Sequence, residues 1–122
     1  MSGMRAPRDP ECIFCRIVAG EVPSTKVQED DHVIAIRDIA PRAPTHMLIL
    51  PREHIPSAAD LTGDDGPLLA EIFELAASLA RSEGIAEQGY RVVTNVGTWG
   101  GQTVDHLHFH LMGGRAFSWP PG

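Results

Sequence analysis

The 122-residue chain has no run of eighteen apolar residues, so no helix in it is expected to cross a membrane. The apolar segment of a secretory signal is missing too. Met1 to Glu11 is polar, with Arg5, Arg8 and Asp9 among Pro7 and Pro10. A cytoplasmic protein is the expectation that follows. Positive charge is in short supply: ten Lys and Arg stand against sixteen Asp and Glu, a formal net charge of −6. That excludes a role built on broad, sequence-independent gripping of nucleic acid, and leaves room for a small phosphate ligand held by a few local groups. Cysteine is limited to Cys12 and Cys15, and in a reducing compartment these are not expected to form a disulfide. There is no internal repeat, low-complexity tract or Gly/Ser linker. One domain over residues 11–122, preceded by a mobile leader at residues 1–10, is therefore expected.

The chain does contain clear hydrophobic patterning. Ile13, Phe14, Ile17 and Val18 recur at helical spacing between Glu11 and Ala19, and Gly20 stops the run. Val33 to Ile36 and His46 to Leu50 are short apolar runs bounded by acidic turns or prolines, which suits strands. Thr62 to Pro67 offers helix-capping residues and a first-turn proline. Leu68, Ile72, Leu75 and Leu79 then mark one face of a long helix ending near Gly84. Tyr90 to Asn95 reads as a strand, Gly97 to Gly101 as a glycine-rich loop, and Val104 to Met112 as a final strand closed by Gly113 and Gly114. Strands on short connections with one long helix predict an α+β fold with a mainly antiparallel sheet.

The segment Asp105-His106-Leu107-His108-Phe109-His110-Leu111 carries the chemistry. On an extended strand successive side chains point to opposite faces, so the three histidines line one face and Leu107, Phe109 and Leu111 the other. Histidines on a half-exposed strand are often plain surface residues, but three at strict alternation opposite three large apolar side chains form a designed surface. Imidazole is a nucleophile near neutral pH when its second nitrogen is held by an acceptor, and neighbouring imidazoles can bind phosphate or carry protons. Just upstream, Gly100-Gly101-Gln102-Thr103 can surround an anion with N–H groups, an amide and a hydroxyl. A three-histidine zinc hydrolase is equally compatible with the spacing alone.

The alternation His106-Leu107-His108-Phe109-His110-Leu111 resembles the signature of the histidine triad family. Further segments are similar to that family in the same order: Cys12 to Ile17, Asp38 to His46, Pro51 to Ile55, Gly100 to Val104, and the ending Gly113-Gly114-Arg115 with Trp119-Pro120-Pro121-Gly122, which resembles the Hint branch. The resemblance implies a five-stranded antiparallel sheet with two helices, a homodimer, and hydrolysis of purine nucleoside phosphoramidates such as adenylated amines and aminoacyl adenylates. Diadenosine polyphosphate hydrolysis is the alternative within the superfamily. A nucleotide-responsive interaction module with residual catalysis is the alternative outside enzymology.

Carried over by position, His108 would be the nucleophile, His110 and Gly101, Gln102, Thr103 and Val104 would contact the phosphate, and Thr103 would lie near the leaving group. His46 would sit behind the nucleophile and orient it. Asp38 would accept from the ribose hydroxyls, with Ile13, Phe14, Ile17, Ile36 and Ile39 forming the slot for the base and Asn95 in the same pocket. Read from the residues alone, Asp38 is equally a turn cap before Pro41 and the isoleucines ordinary core. The resemblance also implies a structural zinc held by Cys12, Cys15, His54 and His106, with no metal required for catalysis. Without it, Cys12 and Cys15 are a CxxC pair that alone specifies little. The sequence departs from the pattern in three places. Thr103 replaces a usual serine, keeping the hydroxyl on a stiffer side chain. Asp105 replaces an apolar or aromatic residue and is expected to face away from the histidines. Ile36 and Arg37 replace an aromatic–histidine pair, and Arg37 is expected to favour a more anionic ligand.

Overall fold

A computed structural model describes residues 8–122. Helix α1 (Ile13–Val18) is followed by strands β1 (Lys26–Glu29), β2 (Val33–Arg37) and β3 (Thr45–Pro51), helix α2 (Gly66–Ser82), and strands β4 (Tyr90–Val93) and β5 (Phe109–Gly113). The five strands form one antiparallel sheet in the order β1-β2-β3-β5-β4. Of the expected leader, residues 1–7 lie outside the described residues. Residues 8–10 are tied to the body: Arg8 pairs with Glu21, the Asp9 carbonyl accepts from the Cys12 N–H at 3.0 Å, and the Asp9 N–H points at Cys15 Sγ at 3.4 Å.

The central strands β2 and β3 are buried on both faces, which is why they read as unbroken apolar runs. Their odd and even positions serve two layers. Val33, Ala35, Met47 and Ile49 pack with Ile72, Leu75 and Leu79 of α2, while Ile34, Ile36, Leu48 and Leu50 pack with Phe14, Cys15 and Ile17 of α1. Burying each large aliphatic side chain contributes about 1.5–3 kcal/mol, so α2 is held by its apolar stripe far more than by its propensity. A capping box at Thr62 and Asp65 opens the turn before α2, Pro67 occupies its first turn, and Gly84 at φ +75° ends it. Because α1 has only six residues, it covers only part of its face of the sheet, and the remainder is left for the histidines.

Two expected boundaries need correction, and the first is that the strand expected over Tyr90 to Asn95 ends at Val93. The final strand begins at Phe109, not Val104, because the ladder with β3 stops at Ile49 opposite Phe109. Beyond that point the Leu107 N–H donates instead to the Ile55 carbonyl at 2.6 Å, in the loop after β3. The alternation of faces nevertheless persists. Leu107, Phe109 and Leu111 join the α2 layer, and Phe14 of the α1 layer meets the rings of both His106 and His108.

Candidate active site and metal cluster

His108 is buried, and its Nδ1 lies 2.7 Å from the His106 carbonyl. A carbonyl only accepts, so Nδ1 carries the hydrogen and Nε2 keeps its lone pair, the tautomer a nucleophile requires. The ring stands edge-on to Phe14 at 5.0 Å and packs against His110 at 5.1 Å. The Thr94 hydroxyl donates to the His108 carbonyl at 2.8 Å and pins the backbone just before β5. Nothing in the sequence pattern singles out Thr94, since only the pairing of β4 with β5 brings it there.

A second chain of hydrogen bonds sets His110. The Arg42 N–H donates to His46 Nδ1 at 2.9 Å, which leaves the hydrogen on His46 Nε2. That Nε2 lies 2.9 Å from His110 Nδ1 and 3.3 Å from Asp38 Oδ2. His110 Nδ1 is then the acceptor, and its Nε2–H is the donor that remains. Burial, then the neighbouring His108 and His46, lowers the His110 pKa to about 4, and burial lowers that of His46 despite the nearby Asp38 carboxylate. Both rings are therefore neutral at pH 7. His46 thus positions His110, the ring that packs against His108.

Asp38, His108 and His110 border a cavity of about 420 Å³. Ile13, Phe14, Ile17, Ile36, Ile39 and Val104 give it apolar walls, and Asp38, Thr103, His108 and His110 provide its polar groups. Ile39, 98% exposed, stands at its lip. Asp38 does cap a turn, accepting from the Ala40 N–H at 2.8 Å with one oxygen, yet it also lines the cavity. Val22, Pro23, Ser24 and Leu48 line the same cavity and were not expected from the sequence. The Ser24 hydroxyl is buried without a hydrogen-bond partner among the described residues.

Three expected nucleotide contacts are not among the cavity's lining residues, Gly101, Gln102 and Asn95. The Gln102 amide is committed to its own loop. Its Oε1 accepts from the Gly97 N–H, and its Nε2 donates to the Pro56 and Val104 carbonyls. Asn95 donates to the Gly100 carbonyl at 2.7 Å and borders a different cavity. The loop needs its glycines: a Cβ on Gly100 would lie 2.1 Å from the Val96 carbonyl oxygen, and Gly101 has φ +85°. Arg37 lines the cavity of about 420 Å³, but its guanidinium is engaged by both Glu83 oxygens at 2.9 and 3.0 Å, a pair with which the expected contact to an anionic ligand would compete. Asp105 is exposed on a separate shallow cavity shared with Glu11 and Thr103.

Cys12, Cys15, His54 and His106 converge, their donor atoms all within 4.8 Å of one another. His54 Nδ1 and His106 Nδ1 are 3.2 Å apart, Cys15 Sγ lies 3.2 and 3.6 Å from these nitrogens, and Cys12 Sγ lies 3.4 Å from His106 Nδ1. With metal–nitrogen bonds of about 2.05 Å and metal–sulfur bonds of about 2.3 Å, a tetrahedron has edges of about 3.3 Å for N–N and about 3.6 Å for S–N. The donor set fits. His106 Nε2–H donates to the Pro51 carbonyl at 2.8 Å, which frees Nδ1 and fixes the ring.

The HIT domain family profile matches residues 19–117. The purine nucleoside phosphoramidase of Escherichia coli (strain K12) is 48% identical over 105 residues, covering 86% of this chain and 88% of that protein. The crystal structure of a HIT family hydrolase from Legionella pneumophila Philadelphia 1 matches with a TM-score of 0.90 at 53% identity, covering 92% of this chain and all of that one. A histidine triad protein from Clostridium difficile matches with a TM-score of 0.87 at 40% identity, over 91% and 96% of the two chains. With the alternating histidines on one face of the sheet and matches of this extent, the chain belongs to the HIT, or histidine triad, family.

Proposed function

We propose that the protein hydrolyses purine nucleoside 5′-phosphoramidates to the nucleoside monophosphate through a nucleotidyl intermediate on His108. The observation that carries this reading is the hydrogen bond from His108 Nδ1 to the His106 carbonyl, which makes Nε2 the lone-pair nitrogen of the neutral ring beside a cavity of about 420 Å³. The similarity to the Escherichia coli phosphoramidase supports the substrate class. In the first step His108 Nε2 bonds to the α-phosphorus as the P–N bond breaks, and the amine departs after taking up a proton from solvent. The nucleotidyl-imidazole retains Nδ1–H and is cationic, and the His106 carbonyl stabilises it in place. Water then attacks phosphorus, the P–Nε2 bond breaks, the water's proton passes to solvent, and the monophosphate leaves. His110 Nε2–H and the Thr103 hydroxyl supply donors to the phosphoryl oxygens and the leaving group. Asp38 accepts from the ribose, and the isoleucine walls with Phe14 hold the base.

Structural zinc in the Cys12, Cys15, His54 and His106 cluster belongs to the same reading. It ties α1, which carries Phe14 and Ile17, to the segment leading into His108. The donor set is closed, so zinc supplies cohesion there and no chemistry to the substrate. Homodimerisation and a cytoplasmic location complete the proposal. The open edge of β4 and the exposed Tyr90, Val96, Trp99 and Trp119 support the former.

The test compares hydrolysis of an adenosine phosphoramidate and a diadenosine polyphosphate, with His108→Ala as control. Fast release of AMP from the phosphoramidate, abolished in the variant, is expected. Faster cleavage of the polyphosphate would move the activity to the other branch, and no turnover of either with nucleotide still bound would overturn the enzymatic reading.

A further inference from the structure

Beside the first cavity, on the other side of His110, lies a second cavity of about 300 Å³. His110 is common to both, and His46 borders only the second. The chemistry of its rim differs sharply from the first. Arg42, Arg91 and Arg115 surround it, Asn95 adds an amide, and no carboxylate lines it.

The charge distribution over the chain makes this concentration informative. Among the described residues, Arg8, Arg16, Lys26, Arg37 and Arg52 each pair with a carboxylate. Arg42, Arg81, Arg91 and Arg115 form no such ion pair with a described residue, and three of those four meet at this one cavity of an otherwise acidic protein. Two of them are held in place. Arg91 and Arg115 lie over the Phe117 ring at 5.0 and 4.2 Å from its centroid, and they donate to the Ser118 and Arg42 carbonyls respectively. No hydrogen bond to the Arg42 guanidinium is present among the described residues. Three cations gathered with no carboxylate among the lining residues repel one another, the nearby Asp38 being turned to His46, and an anion placed among them relieves that repulsion.

We propose that this cavity receives the leaving group, and that it selects leaving groups bearing an anion, a carboxylate or a phosphate. The inference rests on the hydrolase reading above. A nucleoside filling the apolar slot presents its α-phosphate to His108 and His110, and because His110 borders both cavities, a leaving group directed past it enters the arginine rim. Arg37 is paired to Glu83, so selectivity for anions lies with Arg42, Arg91 and Arg115.

The test uses the purified full-length protein in its solution oligomeric state and two adenosine phosphoramidates that differ only in their two carboxyl groups, the aspartic acid adduct and its uncharged diamide. The expected result is a kcat/KM ratio of about tenfold or more in favour of the acid, falling towards one in Arg42→Gln and in Arg91→Gln and in high salt. A ratio within each variant cancels differences in folded fraction. Equal rates for the two substrates in the unaltered protein would overturn the subsite while leaving the hydrolase reading intact. If neither is turned over, the same pair is titrated calorimetrically against His108→Ala. Tighter binding of the acid still upholds the subsite, and equal affinity overturns it. Diadenosine tetraphosphate distinguishes the sources of the anion: cleavage faster than that of the acid adduct, and dependent on Arg42, assigns the rim to phosphate.

Discussion

Replacing Thr94 by valine isolates one hydrogen bond behind the nucleophile. Valine is close to isosteric with threonine, so no cavity opens, and what is lost is the 2.8 Å bond from the hydroxyl to the His108 carbonyl. The site is partly buried, and a hydrogen bond of this kind contributes about 0.5–1.5 kcal/mol net. For a domain of this size that is a drop in Tm of roughly 2–6 °C. The functional consequence should exceed the thermodynamic one. Thr94 follows β4 and His108 precedes β5, so the bond extends the Val93–His110 pairing to the residue that carries the nucleophile. Loosening it allows Nε2 to depart from its line of attack, and kcat is expected to fall about tenfold with KM little changed. Thermal unfolding and steady-state hydrolysis of an adenosine phosphoramidate measure the two effects, with Thr94→Ser as the variant that keeps the hydroxyl and restores both. Wild-type kcat in Thr94→Val, or failure of serine to restore it, would refute the reasoning.

Cys15→Ser should lose bound zinc, by elemental analysis, and lower Tm by several degrees while kcat per folded molecule is largely kept; a loss of kcat far beyond the loss of folded protein would contradict a structural role. Stability should also fall with acidity. The His110 pKa is about 4 when folded against about 6.5 unfolded, so between these values the unfolded chain binds more protons. The contribution is complete above about pH 6.5 and is lost as pH falls towards 4, with His46 acting in the same direction. A plot of Tm against pH is expected to be less steep there in His110→Asn, and an unchanged slope would assign the effect elsewhere. Ser24→Ala removes a buried hydroxyl without a partner among the described residues, so Tm should hold or rise slightly, whereas a clear drop would reveal a bond to that hydroxyl. Arg37→Gln should leave affinity for AMP within about twofold in calorimetry, because the guanidinium is already taken up by Glu83; a large loss would return Arg37 to the ligand.

The helices, the two central strands and the histidine face were legible because period is a local property. Apolar side chains at spacing 3.6 mark the α2 face, unbroken apolar runs mark β2 and β3, and spacing two sets His106, His108 and His110 apart from Leu107, Phe109 and Leu111. The faces survived even where the strand did not, since extended backbone alternates its side chains with or without a ladder. Strand boundaries were less legible: whether Leu107 bonds β3 or Ile55 depends on the path of a loop fifty residues away.

What only the tertiary structure decided are the partners. The tautomer of His108 follows from a carbonyl two residues back, and that of His46 from the Arg42 N–H, neither of which any residue pattern records. Gln102 turned inward to its loop, Arg37 found Glu83 at the end of α2, and three arginines from separate segments met around one cavity. Residue identity determines which bonds a side chain can make. Which of them it makes is settled by the groups the fold brings within about 3 Å of it, because hydrogen bonds form only over that range.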